Sequence, residues 1–104
     1  MLVVDSDAYR RTFLVQMLME TGRRVLMAGS EAEARSILSS LGARVDTVMV
    51  SPSPAGPELV RRLRAEWPKH RFVLIASDPS EPVPNGAAQL IRPITRDKLS
   101  ALLD

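Results

Sequence analysis

Five short apolar runs, separated by stretches that carry helix signals, predict an α/β fold: a doubly wound, five-stranded parallel sheet with helices on both faces. Three observations carry that expectation. The fourth run, Phe72-Val73-Leu74-Ile75-Ala76, is continuously apolar, as strands covered on both faces are. The intervening stretches open on capping residues or proline and end near glycine or proline. The 104 residues, 45% of them hydrophobic, suffice for one core and are too few for two. A single domain over residues 1–104 is therefore expected. Right-handed crossovers favour the strand order 2-1-3-4-5 for a chain of this size.

The elements follow in order. Leu2-Val3-Val4 reads as a first strand that stops at the polar cluster Asp5-Ser6-Asp7, which is rich in capping residues. A first helix is predicted from about Ala8 to Thr21, with Tyr9, Phe13 and Met17 on its apolar face, Leu14 and Leu18 as further candidates, and Gly22 ending it. Arg24 to Ala28 reads as the second strand. Ser30-Glu31-Ala32-Glu33 has the form of a capping box, so a second helix starts near Glu31, buries Ala34, Ile37, Leu38 and Leu41, and closes at Gly42.

Val48-Met49-Val50-Ser51 followed by Pro52-Ser53-Pro54 describes a short buried central strand that ends abruptly at a polar mouth. Gly56-Pro57-Glu58 opens a third helix with proline in the first turn, its apolar face made by Leu59, Val60 and Leu63, and Pro68 stops it. The fourth strand ends at Ser77-Asp78. From Asp78 to Ala88, Pro79, Pro82, Pro84 and Asn85-Gly86 leave no room for an ordinary helix, so this crossover is expected to be a loop with at most one turn. Gln89-Leu90-Ile91 is a short fifth strand, and a last helix begins after Thr95 with Leu99, Leu102 and Leu103 facing inward.

Composition excludes several classes. With no cysteine there is neither a disulfide framework nor a thiolate metal site. No signal peptide or run of membrane-spanning length is present, which leads to the expectation of a cytoplasmic protein. Fourteen basic against twelve acidic residues leave a net charge of only +2, which gives no general case for nucleic acid or membrane. Arg61, Arg62, Arg64, Lys69, His70 and Arg71 read as a solvated helix face and its exit turn. Trp67 reads as a helix-end plug. No glycine-rich phosphate loop follows any strand.

Ligands bind parallel sheets beyond the carboxyl ends of the strands, where strand order reverses. In the predicted order that mouth gathers Asp5, Ser6, Asp7 and Ser51, with Ser77 and Arg92 beside them. A serine with no base beside it is a weak nucleophile, and His70, the only histidine, precedes the fourth strand at the far end of the sheet. Arg92 is expected to fork onto Asp5 as an internal ion pair, directly or through water. Asp46 is expected to be a polar lead-in to the central strand.

The chain resembles the receiver domains of two-component response regulators, which are CheY-like and flavodoxin-like in fold. The resemblance runs through Leu-Val-Val-Asp-Ser-Asp and Arg10-Arg11, Ala28-Gly29-Ser30-Glu31-Ala32, Asp46 to Ser51, Val-Leu-Ile-Ala-Ser77 and Gly86 to Pro93. It implies a pocket in which two adjacent acids and a third-strand aspartate bind magnesium, and in which that aspartate accepts a phosphoryl group. A hydroxyl after the fourth strand and a lysine before proline after the fifth then hold the phosphoryl oxygens. Here Asp5 keeps the first acid, Ser6 replaces the second, Ser51 replaces the phosphoacceptor, Ser77 keeps the hydroxyl and Arg92 replaces the lysine. Gln89 stands where the family has its aromatic switch.

The resemblance therefore implies a degenerate phosphorylation pocket in an atypical receiver: not an enzyme, with no resident cofactor, and with magnesium not expected, Asp5 being a weak metal candidate and Asp7 and Asp78 badly positioned helpers. A signalling or protein-interaction role is expected, with a protein partner or second copy docking on the flank of strands four and five, the loop Asp78 to Ala88 or the last helix. Nucleic acid would be met only through a fused domain beyond Asp104. Two alternatives remain: a receiver that accepts a phosphoryl group at another residue such as Asp7 or Ser51, and a flavodoxin-like ligand-binding domain.

Overall fold

The computed structural model describes residues 1–51, 56–80 and 82–103. Its elements alternate as β1 (Leu2–Val4), α1 (Ala8–Glu20), β2 (Leu26–Ala28), α2 (Glu31–Leu41), a 3-10 turn (Gly42–Arg44), β3 (Thr47–Val50), α3 (Gly56–Glu66), β4 (Arg71–Ala76), β5 (Ala88–Ile91) and α4 (Arg96–Leu103). The five strands form one parallel sheet in the order β2-β1-β3-β4-β5. The Pro52-Ser53-Pro54 break, Glu81 and Asp104 lie outside the described residues.

Because successive strand residues point to opposite faces, the sheet divides the core in two. Leu2, Val4, Val48, Val50, Phe72 and Leu74 pack against Ala34 and Leu38 of α2 and Val60 and Leu63 of α3. Val3, Met49, Val73, Ile75 and Leu90 face Leu14, Val15 and Leu18 of α1 and Leu99 of α4. The central strands carry apolar residues at consecutive positions because both faces are covered.

Several local expectations need correction. Tyr9 and Phe13 do not reach the core: they are 90% and 58% exposed, and the buried stripe of α1 is Leu14, Val15 and Leu18. Arg10, Leu14 and Leu18 are spaced by four and so share one line along the helix. The rotation that aims Arg10 at the end of β1 therefore buries Leu14 and Leu18 and turns Phe13 outward by one residue. The second strand is shorter than expected, and Leu26 and Met27 are exposed on it because β2 is an edge strand.

Gly42 does not close α2 in a left-handed conformation; its φ is −56° and the chain tightens into the 3-10 turn, leaving Leu41 exposed. Gly22 does take that role for α1, with φ of +83°. The capping box is half as expected: Ser30 Oγ accepts from the Glu33 amide at 3.2 Å, but the Glu33 carboxylate accepts from the Gly29 amide and not from that of Ser30.

Among the described residues, no helix lies between β4 and β5, as expected. The flank that this was expected to expose is nevertheless closed at β4, where Phe72 is 1% and Leu74 0% exposed. Val83 and Ala87 of the crossover fold back on that cluster and do the covering that a helix would have done. The arginines of α3 are a paired surface: Arg61 bonds Glu58, Arg62 bonds Glu31 on α2, and Arg64 donates to the Asn85 carbonyl. Trp67 packs partly buried against the core with the Arg35 guanidinium 6.0 Å from its ring centre. None of the described helices is long and apolar enough to cross a membrane.

Candidate functional site

The ends of β1 and β3 lie side by side because Val4 pairs with Val50, so the residues that follow them, Asp5 and Ser51, are neighbours at the mouth of the sheet. Both are buried, at 4% and 5% exposure. The Asp5 amide donates to Ala28 O and the Ser51 amide to Val4 O, which extends the ladder by one step and fixes both side chains. Gly56 keeps the start of α3 close: a Cβ there would stand 3.0 Å from the Ser51 carbonyl oxygen and 3.0 Å from Leu74 Cδ1.

Asp5 is held by a neighbour on its own side of the mouth. The Arg10 guanidinium forks onto it, Nε to Oδ2 at 3.2 Å and Nη2 to Oδ1 at 3.1 Å. Oδ1 also accepts the Asp7 amide at 2.8 Å, and the Asp5 carbonyl accepts Arg11 Nη1 at 2.7 Å. The hydrogen bond to Asp5 raises the Arg10 pKa still further above its ordinary value. The ion pair on Asp5 therefore exists, but Arg10 supplies it and not Arg92, because the first turn of α1 brings Arg10 back over the strand end while Arg92 starts from β5, two strands beyond β3.

Arg92 turns instead to the other buried residue. Its amide bonds Ala76 O at 2.8 Å, continuing the β4–β5 ladder, and Nη2 donates to Ser51 Oγ at 3.1 Å. Among the described residues Arg92 is the only side chain bonded to Ser51 Oγ. Lys98 steadies this corner by donating to the carbonyls of Ile91 and Pro93, at 3.0 and 2.9 Å. The Arg92–Pro93 peptide is cis.

The remaining candidates are spread around the mouth. Ser6 is exposed, and Ser77 is exposed just beyond β4 beside the root of Arg92. Asp7 is the N-cap of α1: its carboxylate accepts the Arg10 amide at 3.0 Å, and that bond holds its pKa below the usual carboxylate value. Gln89 pairs in register with Leu74 on the edge strand and is half-buried. Asp46 is exposed at the opposite end of the sheet, where its carbonyl accepts the Arg71 amide. His70 is at that far end too, its Nε2 2.8 Å from the Gly42 carbonyl.

The chemistry open to this arrangement is narrow. Magnesium demands several hard oxygen ligands in octahedral geometry. Both Asp5 oxygens are instead engaged by a fixed cation, a serine stands on either side, and no cluster of three acids or histidines occurs among the described residues. These residues do not fit a magnesium ion. Ser51 is an alcohol held by a cation, and no base among the described residues is bonded to take its proton, so these residues do not activate it as a nucleophile. Sequence reasoning missed Arg10 and Lys98. Arg10 had a signal, since a basic residue in the first turn after a capped acid can reach back to the strand end. Lys98 had none.

No protein-family model matches the chain. Sensor kinase CckA of Brucella abortus is 38% identical to it over 79 residues, which is 73% of this chain and 8% of that protein. The chain thus spans only a small part of the curated relative it matches. Solved structures share the fold at lower identity. A response regulator receiver domain from Clostridium thermocellum is 22% identical with a TM-score of 0.83, covering 96% of this chain and 86% of its own. Vibrio cholerae chemotaxis protein CheY4 is 21% identical with a TM-score of 0.79, covering 98% and 92%. The receiver domain of hybrid histidine kinase CckA is 22% identical with a TM-score of 0.77, covering 98% and 93%.

Proposed function

We propose that this chain, a receiver domain of the CheY-like kind by its fold and by its likeness to part of sensor kinase CckA, is an atypical receiver that signals through contact with a protein partner and not through an acceptor phosphate. One observation carries the reading: the bidentate Arg10–Asp5 pair stands where a metal-binding acid would have to be available. Breaking a pair whose carboxylate is 3% exposed leaves a buried charge alone, which is strongly unfavourable. A magnesium ion would have to supply that free energy before binding. Ser51 and Arg92 then act as a fixed structural pair, Ser6 and Ser77 are polar rim, and Gln89 is not an aromatic switch. On this reading the domain has no catalytic activity and no resident metal, and it works in the cytoplasm.

The partner surface is assigned to β5 and α4 with the adjoining crossover. Support comes from an open groove of about 340 Å³ between Gln89 and Ile91 on one side and Lys98, Ala101 and Leu102 on the other. The occupant is a protein chain, either a regulator or kinase segment or a second copy.

The deciding experiment treats the purified chain with acetyl phosphate and Mg²⁺ and measures intact mass, with beryllium fluoride in a parallel thermal-shift series. No added phosphoryl mass and no shift in Tm are expected. A stoichiometric adduct, mapped to Ser51 or Asp7, would replace this reading with that of a receiver whose acceptor has moved. For the surface, Ala101→Arg should abolish partner binding or self-association while leaving Tm unchanged; unchanged association would remove β5–α4 as the contact.

A further inference from the structure

Beside the Arg10–Asp5 pair lies a second feature that the receiver reading does not use. A cleft of about 320 Å³ opens between the first turns of α1 and the turn that joins β5 to α4. Phe13, Leu14, Ile75, Pro93 and Ile94 form its apolar lining, and Asp5, Arg10 and Arg92 its polar one. That volume falls at the lower end of the range of small-molecule sites, and a mostly apolar lining with a few placed polar groups is their usual make-up.

The charges in the cleft do not cancel. Arg10 and Arg92 line it against the single acid Asp5, so the lining residues carry one net positive charge. Arg10 is spoken for by Asp5. Arg92 donates to a neutral hydroxyl, and among the described residues it has no carboxylate partner. A guanidinium fork so placed binds a carboxylate or sulfonate more strongly than any neutral group. Phe13, 58% exposed, adds an aromatic face at the rim that a flat ligand would take out of water.

We infer that this cleft is a binding site for a small organic monoanion with a flat apolar body, the anionic group paired with Arg92 and the body lying between Phe13 and Ile94. The inference rests on the reading of the pocket above in one respect, that Arg92 holds no phosphoryl group. Ligand occupancy would bear on the corner where Arg92, Ser51 and Asp5 meet, and so would give a phosphate-independent receiver an input.

The test uses the full chain, ¹⁵N-labelled, titrated with 2-naphthoate and in parallel with 2-naphthalenemethanol, which has the same rings and no charge. Naphthoate is expected to give saturable shifts at the amides of Phe13, Arg92 and Ile94, and the alcohol to bind at least about tenfold more weakly, as one charge-assisted fork requires. Arg92→Gln should weaken naphthoate to the level of the alcohol, Phe13→Ala should weaken both probes, and Arg61→Gln on the far side of α3 should change neither. Phe13 is exposed enough for its variant to fold even if the Arg92 variant does not. Absence of saturable naphthoate binding, equal binding of the alcohol, shifts confined to the other end of the sheet, or unchanged affinity in both cleft variants would overturn the assignment. The acetyl phosphate experiment is independent: an adduct there with naphthoate binding intact would remove the phosphate-independent reading and leave this site standing.

Discussion

Removing the Arg10 guanidinium would leave the Asp5 carboxylate buried beside an alcohol and a backbone amide, with its strongest donor gone. Arg10 itself is 37% exposed, so water would screen part of the loss. Arg10→Ala is expected to lower stability by about 2 kcal/mol, measured by urea denaturation. A loss well below that figure would show that the pair contributes little to holding the acid. Ser51→Asp tests the other half of the mouth. The new carboxylate would stand where Arg92 Nη2 already donates, so it is expected to form an ion pair with Arg92 and to raise Tm. It should take no phosphoryl mass from acetyl phosphate and Mg²⁺ while Arg10 still holds Asp5. An adduct in this single variant would mean that the Arg10 pair does not block phosphoryl transfer and would count against the proposed role of that pair.

Between α2 and α3 the link is ionic as well as apolar. Glu31, in the first turn of α2, accepts from Arg62 of α3 at 2.7 Å and from Arg35 of its own helix at 3.0 Å, and Arg35 also pairs with Glu66. The hydrogen bonds from Arg62 first, then Arg35, hold the Glu31 carboxyl below its ordinary value. A carboxylate with a depressed pKa in the folded state contributes stability that is complete above its unfolded value and is lost as pH falls through the folded one. The stability difference between the native chain and Glu31→Gln should therefore be present at neutral pH and vanish in acid below the usual carboxylate range. Denaturation curves at both pH values check this, and a difference that persists in acid would assign the effect to helix capping. The same sign holds for Asp7, whose carboxylate caps α1. At this scale the sequence was a good guide to where helices begin, since Asp7, Ser30 and Pro57 act within a few residues. It was a poorer guide to which face of α1 is buried, because Tyr9 and Phe13 have the right spacing for a stripe and only docking on the sheet decides between two stripes one residue apart.

Across the whole molecule the two half-cores share one sheet, and a Cα radius of gyration of 12.3 Å is close to the ~13 Å expected of a domain of this length. Damage to either face should therefore unfold both. Leu74, fully buried under α3 and the β4–β5 crossover, is the sharpest probe. Leu74→Ala is expected to cost about 3 kcal/mol in a single transition, with fluorescence of Trp67 and far-ultraviolet circular dichroism coinciding. Separate transitions would show that the face covered by Val83 and Ala87 melts by itself. The closure of β4 by that crossover also explains why the expected exposed flank shrinks to the groove along β5: a chain lacking a helix still buries its apolar side chains wherever a loop can reach them.

By itself the sequence determined the strands, their order and the mouth at which Asp5, Ser51 and Arg92 meet. Continuous apolar runs, caps and glycines act locally, and handed crossovers leave few ways to assemble them. It also placed a serine at the end of β3, on which the proposal of an atypical receiver rests in part. Tertiary structure decided which cation meets which partner. The sequence suggests Arg92 for Asp5, yet the first turn of α1 brings Arg10 to it over a shorter side-chain path, and Arg11 reaches only its carbonyl. Coulomb attraction and hydrogen bonding fall away steeply with distance. The same difference in path gives Asp5 to Arg10, leaves Arg92 to a neutral serine, and opens the charged cleft beside them.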